Sequence, residues 1–153
     1  MSTPDGATID PHDVLGYLLK HAAARFAAVA DSALERHRID SKELGVLRML
    51  AGREGTSQLA LADALGIDRT TMVAVLDGLE RKGVVDRHPD PSDRRRNVAE
   101  LTQQGQRTYE AAEADYLAAE NAFLSALSSG DRAALRRGLR TLVVDPAGAA
   151  PAR

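Results

Sequence analysis

Arg94, Arg95 and Arg96 stand side by side in a chain with 20 basic and 22 acidic residues and a net charge of −2. A guanidinium is planar and permanently charged, and it pairs with phosphate or carboxylate through two parallel hydrogen bonds. Three in a row make a local anion-binding point on a protein with no bulk positive charge. They follow Pro89-Asp90-Pro91-Ser92-Asp93, where the prolines exclude helix and favour a turn. Arginines at the tip of a hairpin suit a duplex minor groove, because narrow A·T-rich stretches concentrate negative potential. Asp93 is expected to orient one of them, Arg95, through a bidentate pair.

A second constellation precedes it. In the segment Arg69 to Lys82, Met72, Val75, Leu76 and Leu79 share one helical face. Thr70, Ala74, Asp77 and Arg81 occupy the opposite face, with Thr71 and Val73 on its flanks. Small residues dominate the start of this helix, where glutamate and lysine would serve solubility better. A helix fits the major groove, and its amino-terminal residues reach base edges. Thr70 and Thr71 can bond phosphates or bases, Val73 can touch a thymine methyl, and Arg69 can contact guanine or phosphate. Thr56, Ser57 and Gln58 open the helix before it, where hydroxyls and free N–H groups suit phosphate, although Thr56 is also expected to serve as the cap.

Other chemistries lack their residues. With no cysteine there is no disulfide, thiol redox sensor, cysteine nucleophile or Cys-ligated zinc. His12, His21, His37 and His88 are scattered and have no carboxylate at metal-ligand spacing. No phosphate loop, dinucleotide fingerprint or Ser-His-Asp grouping occurs, so no enzyme, cofactor or metal is expected. All five aromatics, Tyr17, Phe26, Tyr109, Tyr116 and Phe123, fall in two long helical segments. Single-stranded nucleic acids are bound on aromatic platforms, so double-stranded DNA is the better-matched partner. Tyr17, His21 and Arg25 recur every fourth residue and could project into one pocket, where the arginine would suit a carboxylate ligand.

Elements must hold these groups in place. Asp10 and Pro11 start a long helix running to about His37, with Leu15, Leu18, Ala22, Phe26, Val29 and Ala33 as its seam. Ser41 is expected to cap a helix from Lys42 to Ala51. Thr56 and Asp68 then cap two short helices ending at Gly66 and Gly83, joined by a turn. "VVDRH" and "RNVAEL" read as the strands of a hairpin. Thr102 caps a second long helix with a seam of Tyr109, Ala112, Tyr116, Ala119 and Phe123. A last helix, Asp131 to Val143, should turn Leu135, Leu139 and Leu142 inward.

The fold class is therefore mainly α with a small β-hairpin wing. A winged helix-turn-helix lobe spans 41–102, a helical region with seams suited to packing against other helices (the dimerisation region, on the resemblance given below) spans 10–38 and 103–143, and disordered segments are expected at 1–9 and 144–153. "MSTPDGATID" lacks a basic and then apolar signal pattern, and no apolar run approaches about 18 residues. A cytoplasmic protein without membrane contact is expected.

In this order, "LADALGIDRTTMVAVLDGLERKGVV", the wing "DPSDRR" and the following "LTQQG" resemble the MarR family of bacterial transcriptional regulators. With a long helix on each side, the likeness covers nearly the whole chain. The resemblance implies a homodimer whose first and last helices interlock. Two winged lobes would bind consecutive major grooves of a palindromic operator, and a small aromatic or carboxylate effector, held by the pocket of Tyr17, His21 and Arg25, would relieve repression. Many members carry arginine where this chain has Ala74, which moves base reading towards Arg69 and the wing. The competing function is a winged-helix protein–protein interaction module without DNA binding.

Overall fold

A computed structural model describes residues 10–143, so the two terminal segments expected to be disordered lie outside the described residues. Asp10 does accept the His12 N–H at 2.9 Å, but the turn it caps is an isolated 3-10 turn, Pro11–Asp13. Val14 is extended, and the first long helix, α1, runs Leu15–Leu34. A 3-10 turn at Glu35–His37 closes it, ending on Arg38 in the left-handed conformation (φ 59°). Helix α2, Ser41–Leu50, is capped by Asp40 rather than Ser41. The Asp40 carboxylate accepts the Glu43 N–H at 2.7 Å, and the Glu43 carboxylate accepts the Asp40 N–H at 3.0 Å. This reciprocal box satisfies two backbone donors, and a serine one residue later cannot reach both.

Next come β1 (Thr56–Ser57), α3 (Gln58–Leu65), α4 (Arg69–Arg81), β2 (Val85–Pro89) and β3 (Asn97–Leu101). The expected two-stranded hairpin is a three-stranded antiparallel sheet in the order β1-β3-β2, with Thr56 opposite Ala99 and Ser57 opposite Val98. The expected cap also moves by one residue: Thr56 lies in the strand, and the Ser57 hydroxyl accepts the Ala60 N–H at 3.2 Å. A two-residue strand is too short to reveal a period of two. Gly66, at φ 62°, closes α3 in the left-handed conformation that turns the chain into α4.

Leu44, Leu47 and Leu50 of α2 meet Leu61 of α3 and Met72, Leu76 and Leu79 of α4, all essentially inaccessible to water. Val84, Val85 and Ala99 cover this core from the sheet side. Each large side chain removed from water contributes about 1.5–3 kcal/mol, so packing fixes the pitch of α3 against α4.

β3 passes through the single residue Thr102 into the second long helix, α5 (Gln103–Phe123). The Thr102 hydroxyl accepts the Gly105 N–H at 2.9 Å and donates to the Gly83 carbonyl at 2.7 Å. Against α1, Phe26 meets Tyr116 edge-on with ring centroids 5.6 Å apart and Phe123 at 5.3 Å. Arg48 of α2 donates to Glu113 at 2.7 Å and lies over the Tyr116 ring at 4.3 Å. Asp115 pairs with both Arg36 and His37, the latter at 2.5 Å, and hydrogen bonds from Arg36 first and then His37 hold its carboxyl below the usual carboxylate range.

The last helix, α6 (Ser129–Val143), corrects another expectation. Leu135, Leu139 and Leu142 are not inward: Leu142 is 70% exposed, and none of the three is buried. Much of the α1 seam is uncovered too, with Leu15 64% exposed and Leu18 and Val29 also open. The amphipathic pattern identified the faces that seek cover; the single chain does not supply it.

Candidate nucleic-acid interface

Helix α4 opens on Asp68, whose carboxylate accepts the Thr71 N–H at 2.9 Å and the Thr71 hydroxyl at 2.6 Å. Those two bonds hold the Asp68 carboxyl below its ordinary range. Thr71 is thus part of the cap, with its hydroxyl proton committed. Arg69, Thr70, Val73 and Ala74 remain exposed over the first two turns. The start of α3 lies beside them. Ser57, Gln58 and Leu59 line a cleft of about 320 Å³ together with Arg69, Arg96 and Asn97. Three segments distant in sequence, namely the starts of α3 and α4 and the tip end of the wing, meet around one concavity.

The wing tip is held by its own acids. Asp90 accepts the Ser92 N–H at 2.8 Å and the Ser92 hydroxyl at 2.7 Å, bonds that lower its carboxyl pKa. The Asp90 N–H donates to the Arg96 carbonyl at 2.8 Å, and the Arg96 N–H donates to the Asp93 carbonyl at 2.9 Å. Asp93 does not form the expected bidentate pair with the Arg95 guanidinium; its carboxylate accepts the Arg95 backbone N–H at 3.1 Å. The acid therefore shapes the loop and leaves the side chain alone. Arg94, Arg95 and Arg96 are all exposed, and among the described residues none is in an ion pair.

Sequence reasoning missed the residue that ties wing to helix. Arg87 of β2 donates through Nη2 to Asp77 at 2.6 Å and to Glu80 at 2.5 Å, both on α4. Glu80 first and then Asp77 raise the already high guanidinium pKa. The available signal was an acid pair three apart on one helical face, followed by a lone cation in a strand. Next to Arg87 on β2, His88 pairs across the hairpin with Glu100 of β3 at 3.0 Å. Behind α4, Lys82 donates to both Glu43 oxygens at 2.6 and 2.8 Å, tying the end of α4 to α2.

Tyr17, His21 and Arg25 lie on the exposed surface of α1, with the Tyr17 and His21 rings 4.0 Å apart. Neither cleft described in this chain includes them. The larger cleft, about 700 Å³, lies between the start of α2, one side of α4 and the start of α5. Arg38, Lys42 and Arg81 stand on its rim, and Thr71, Ala74 and Gly78 form its α4 wall. Among the described residues there is no group of three or more side chains able to hold a metal, and no helix is long and apolar enough to cross a membrane.

The sequence model of the MarR family matches residues 39–96, from the start of α2 through the wing arginines. CouR, a transcriptional repressor solved bound to a 23-mer DNA duplex, superposes with a TM-score of 0.81 at 32% identity, over 85% of this chain and 92% of that one. The chain belongs to the MarR family. Another CouR structure, from Rhodococcus jostii RHA1 and bound to p-coumaroyl-CoA, matches this MarR-family chain with a TM-score of 0.78. It is 26% identical and covers 90% of this chain and 96% of its own. The HTH-type transcriptional repressor NicR of Pseudomonas putida is 28% identical over 147 residues, 93% of each chain.

Proposed function

We propose that this MarR-family protein is a transcriptional regulator, a repressor in its basic mode, that binds a palindromic double-stranded DNA operator as a homodimer. The observation that carries this reading is the smaller cleft. It groups Arg69 at the start of α4, Ser57 and Gln58 at the start of α3, and Arg96 of the wing on one exposed surface. In this arrangement α4 enters the major groove. The α3 start, with its free N–H groups, meets phosphate, and Arg94 and Arg95 reach the adjoining minor groove. Thr56, being a strand residue, contributes through Ser57 and Gln58 rather than directly. Residues 41–102 form the reading lobe, while 10–38 and 103–143 supply the pairing surface. Exposed Leu15, Leu18, Leu135, Leu139 and Leu142 mark that surface. No catalytic role is assigned, and the protein works in the cytoplasm.

An effector acts by binding one spacing of the two lobes better than the other, and its power is limited by that difference. The larger cleft suits an anionic effector, because Arg38, Lys42 and Arg81 stand on its rim and α4 is one of its walls. Tyr17, His21 and Arg25 gain a pocket only where a second subunit closes over α1.

Footprinting of the purified protein on the DNA upstream of its coding region tests the reading. A protected inverted repeat is expected, with half-sites about 10 base pairs apart and affinity that falls steeply with salt. Protection of no DNA, or affinity indifferent to salt, would overturn it in favour of a protein-interaction module.

A further inference from the structure

The proposed function leaves open how α4 distinguishes one base pair from another. Specific reading of adenine normally uses asparagine or glutamine, and that of guanine uses arginine or lysine. Helix α4 has no asparagine or glutamine. Its polar groups are largely committed inside the molecule. The Thr71 hydroxyl donates to Asp68 at 2.6 Å, and Asp77 and Glu80 both receive Arg87. Arg81 is the last residue of the helix, away from the amino-terminal turns that reach base edges. Arg69 sits in the smaller cleft with Ser57, Gln58 and Arg96, the group best placed for phosphate.

What remains exposed on the first two turns is Thr70, Val73 and Ala74. These lie at i, i+3 and i+4, on one face of the helix. Val73 is 37% exposed although it is a β-branched apolar residue whose neighbours Met72 and Leu76 are fully buried. An apolar, methyl-bearing surface in the major groove has one complement among the base pairs, the thymine 5-methyl group.

Resting on the DNA-binding reading, we infer that Val73 and Ala74 are specificity-determining residues that read thymine methyl groups. Thr71 on this view belongs to the helix cap rather than to the base-reading set. The protein then recognises half-sites whose centres are defined by thymine positions, not by a guanine held in an arginine fork.

The test begins with selection of binding sites from a random duplex library by the full-length protein. The winning duplex is then made twice, once with thymine and once with deoxyuridine at the central half-site positions. Burial of one methyl in an apolar contact corresponds to about a fourfold change in affinity, so deoxyuridine should weaken binding about fourfold for each contacted position. Val73→Ala should weaken binding to the thymine duplex by a similar factor and have little further effect on the deoxyuridine duplex. Such non-additivity is the mark of direct contact. Thr71→Val should lower thermal stability and leave the selected sequence unchanged.

Equal affinity for the thymine and deoxyuridine duplexes overturns the inference while leaving DNA binding intact. So does an equal effect of Val73→Ala on both duplexes, or a changed sequence preference in Thr71→Val. Failure to enrich any sequence would instead overturn the DNA-binding reading on which the inference rests.

Discussion

Gly105 lies so close to Val84 that a Cβ built on it would stand 1.9 Å from the Val84 carbonyl oxygen. The obstacle is backbone, which cannot turn aside as a side chain can. It sits where the first turn of α5 crosses the entry to the wing, next to the Thr102 hydroxyl that bonds both Gly83 and Gly105. The glycine of "LTQQG" is therefore a requirement of close approach, not of a special φ.

Gly105→Ala is expected to destabilise the protein by at least the roughly 1–3 kcal/mol typical of overpacking, despite alanine's better helix propensity of about 1 kcal/mol. Thermal unfolding followed by circular dichroism measures it. An unchanged midpoint would mean that α5 can retreat from Val84 at no cost.

Arg95→Ala is expected to weaken operator binding at least tenfold while the protein, in its proposed dimeric form, stays folded. The exposed guanidinium has no partner among the described residues, so its removal leaves no orphaned charge behind. If Arg95 contacts phosphate, the salt slope of binding should fall by about one. Gel-shift titration at several salt concentrations gives both numbers, and unchanged affinity would discard the wing contact.

Arg87→Ala is expected to reduce DNA affinity although Arg87 itself touches no DNA in this reading. Its loss frees two carboxylates, Asp77 and Glu80, on the helix that must approach a polyanion, and releases β2 from α4. Neutralising both acids in the same chain, with Asp77→Asn and Glu80→Gln, should restore part of the affinity if repulsion dominates. No recovery in fluorescence-anisotropy titrations would assign the loss to wing position alone.

Asp68, Asp90 and Asp115 all have carboxyl pKa values lowered in the folded chain, the first two chiefly by side-chain bonds from Thr71 and Ser92 and the third by Arg36 and then His37. A lowered folded pKa stabilises above the unfolded value, near 3.9, and that stability is lost as pH falls through the folded values. Stability should thus decline on acidification below about pH 4. Asp115→Asn should flatten part of that decline in urea titrations at stepped pH. An acid limb identical to that of the parent protein would show that the Arg36–His37 pairing contributes nothing to it.

The order of elements was legible because its signals are local. Asp68 and Thr102 cap the helices they were expected to cap, and the apolar faces of α2 and α4 are the buried ones. Other features depend on distance in space. Arg87 meets Asp77 and Glu80 across 10 and 7 residues and between different elements, which no periodicity reports. The Asp93 carboxylate and the Arg95 guanidinium were of the right types to pair, but the turn brings the backbone N–H of Arg95 to Asp93 first. On α6 the pattern of Leu135, Leu139 and Leu142 says that a face needs covering and is silent about what covers it. Of the candidate interface, the chemistry of the side chains is readable in the sequence; which of their hydrogen-bonding groups are already engaged is not.

Strand β3 hands over to α5 through Thr102 alone, so the joint between the reading lobe and its supporting rod has almost no slack. A rod of 21 residues is about 30 Å long at 1.5 Å per residue. Swivelling it by about 10° would carry the far end roughly 5 Å, a large part of the ~12 Å width of a major groove. On the proposed dimeric, ligand-responsive reading, an effector has no need to unfold or disorder anything near the DNA: a slight lean of one helix, set tens of ångströms away, is enough to put both reading heads out of step with the duplex.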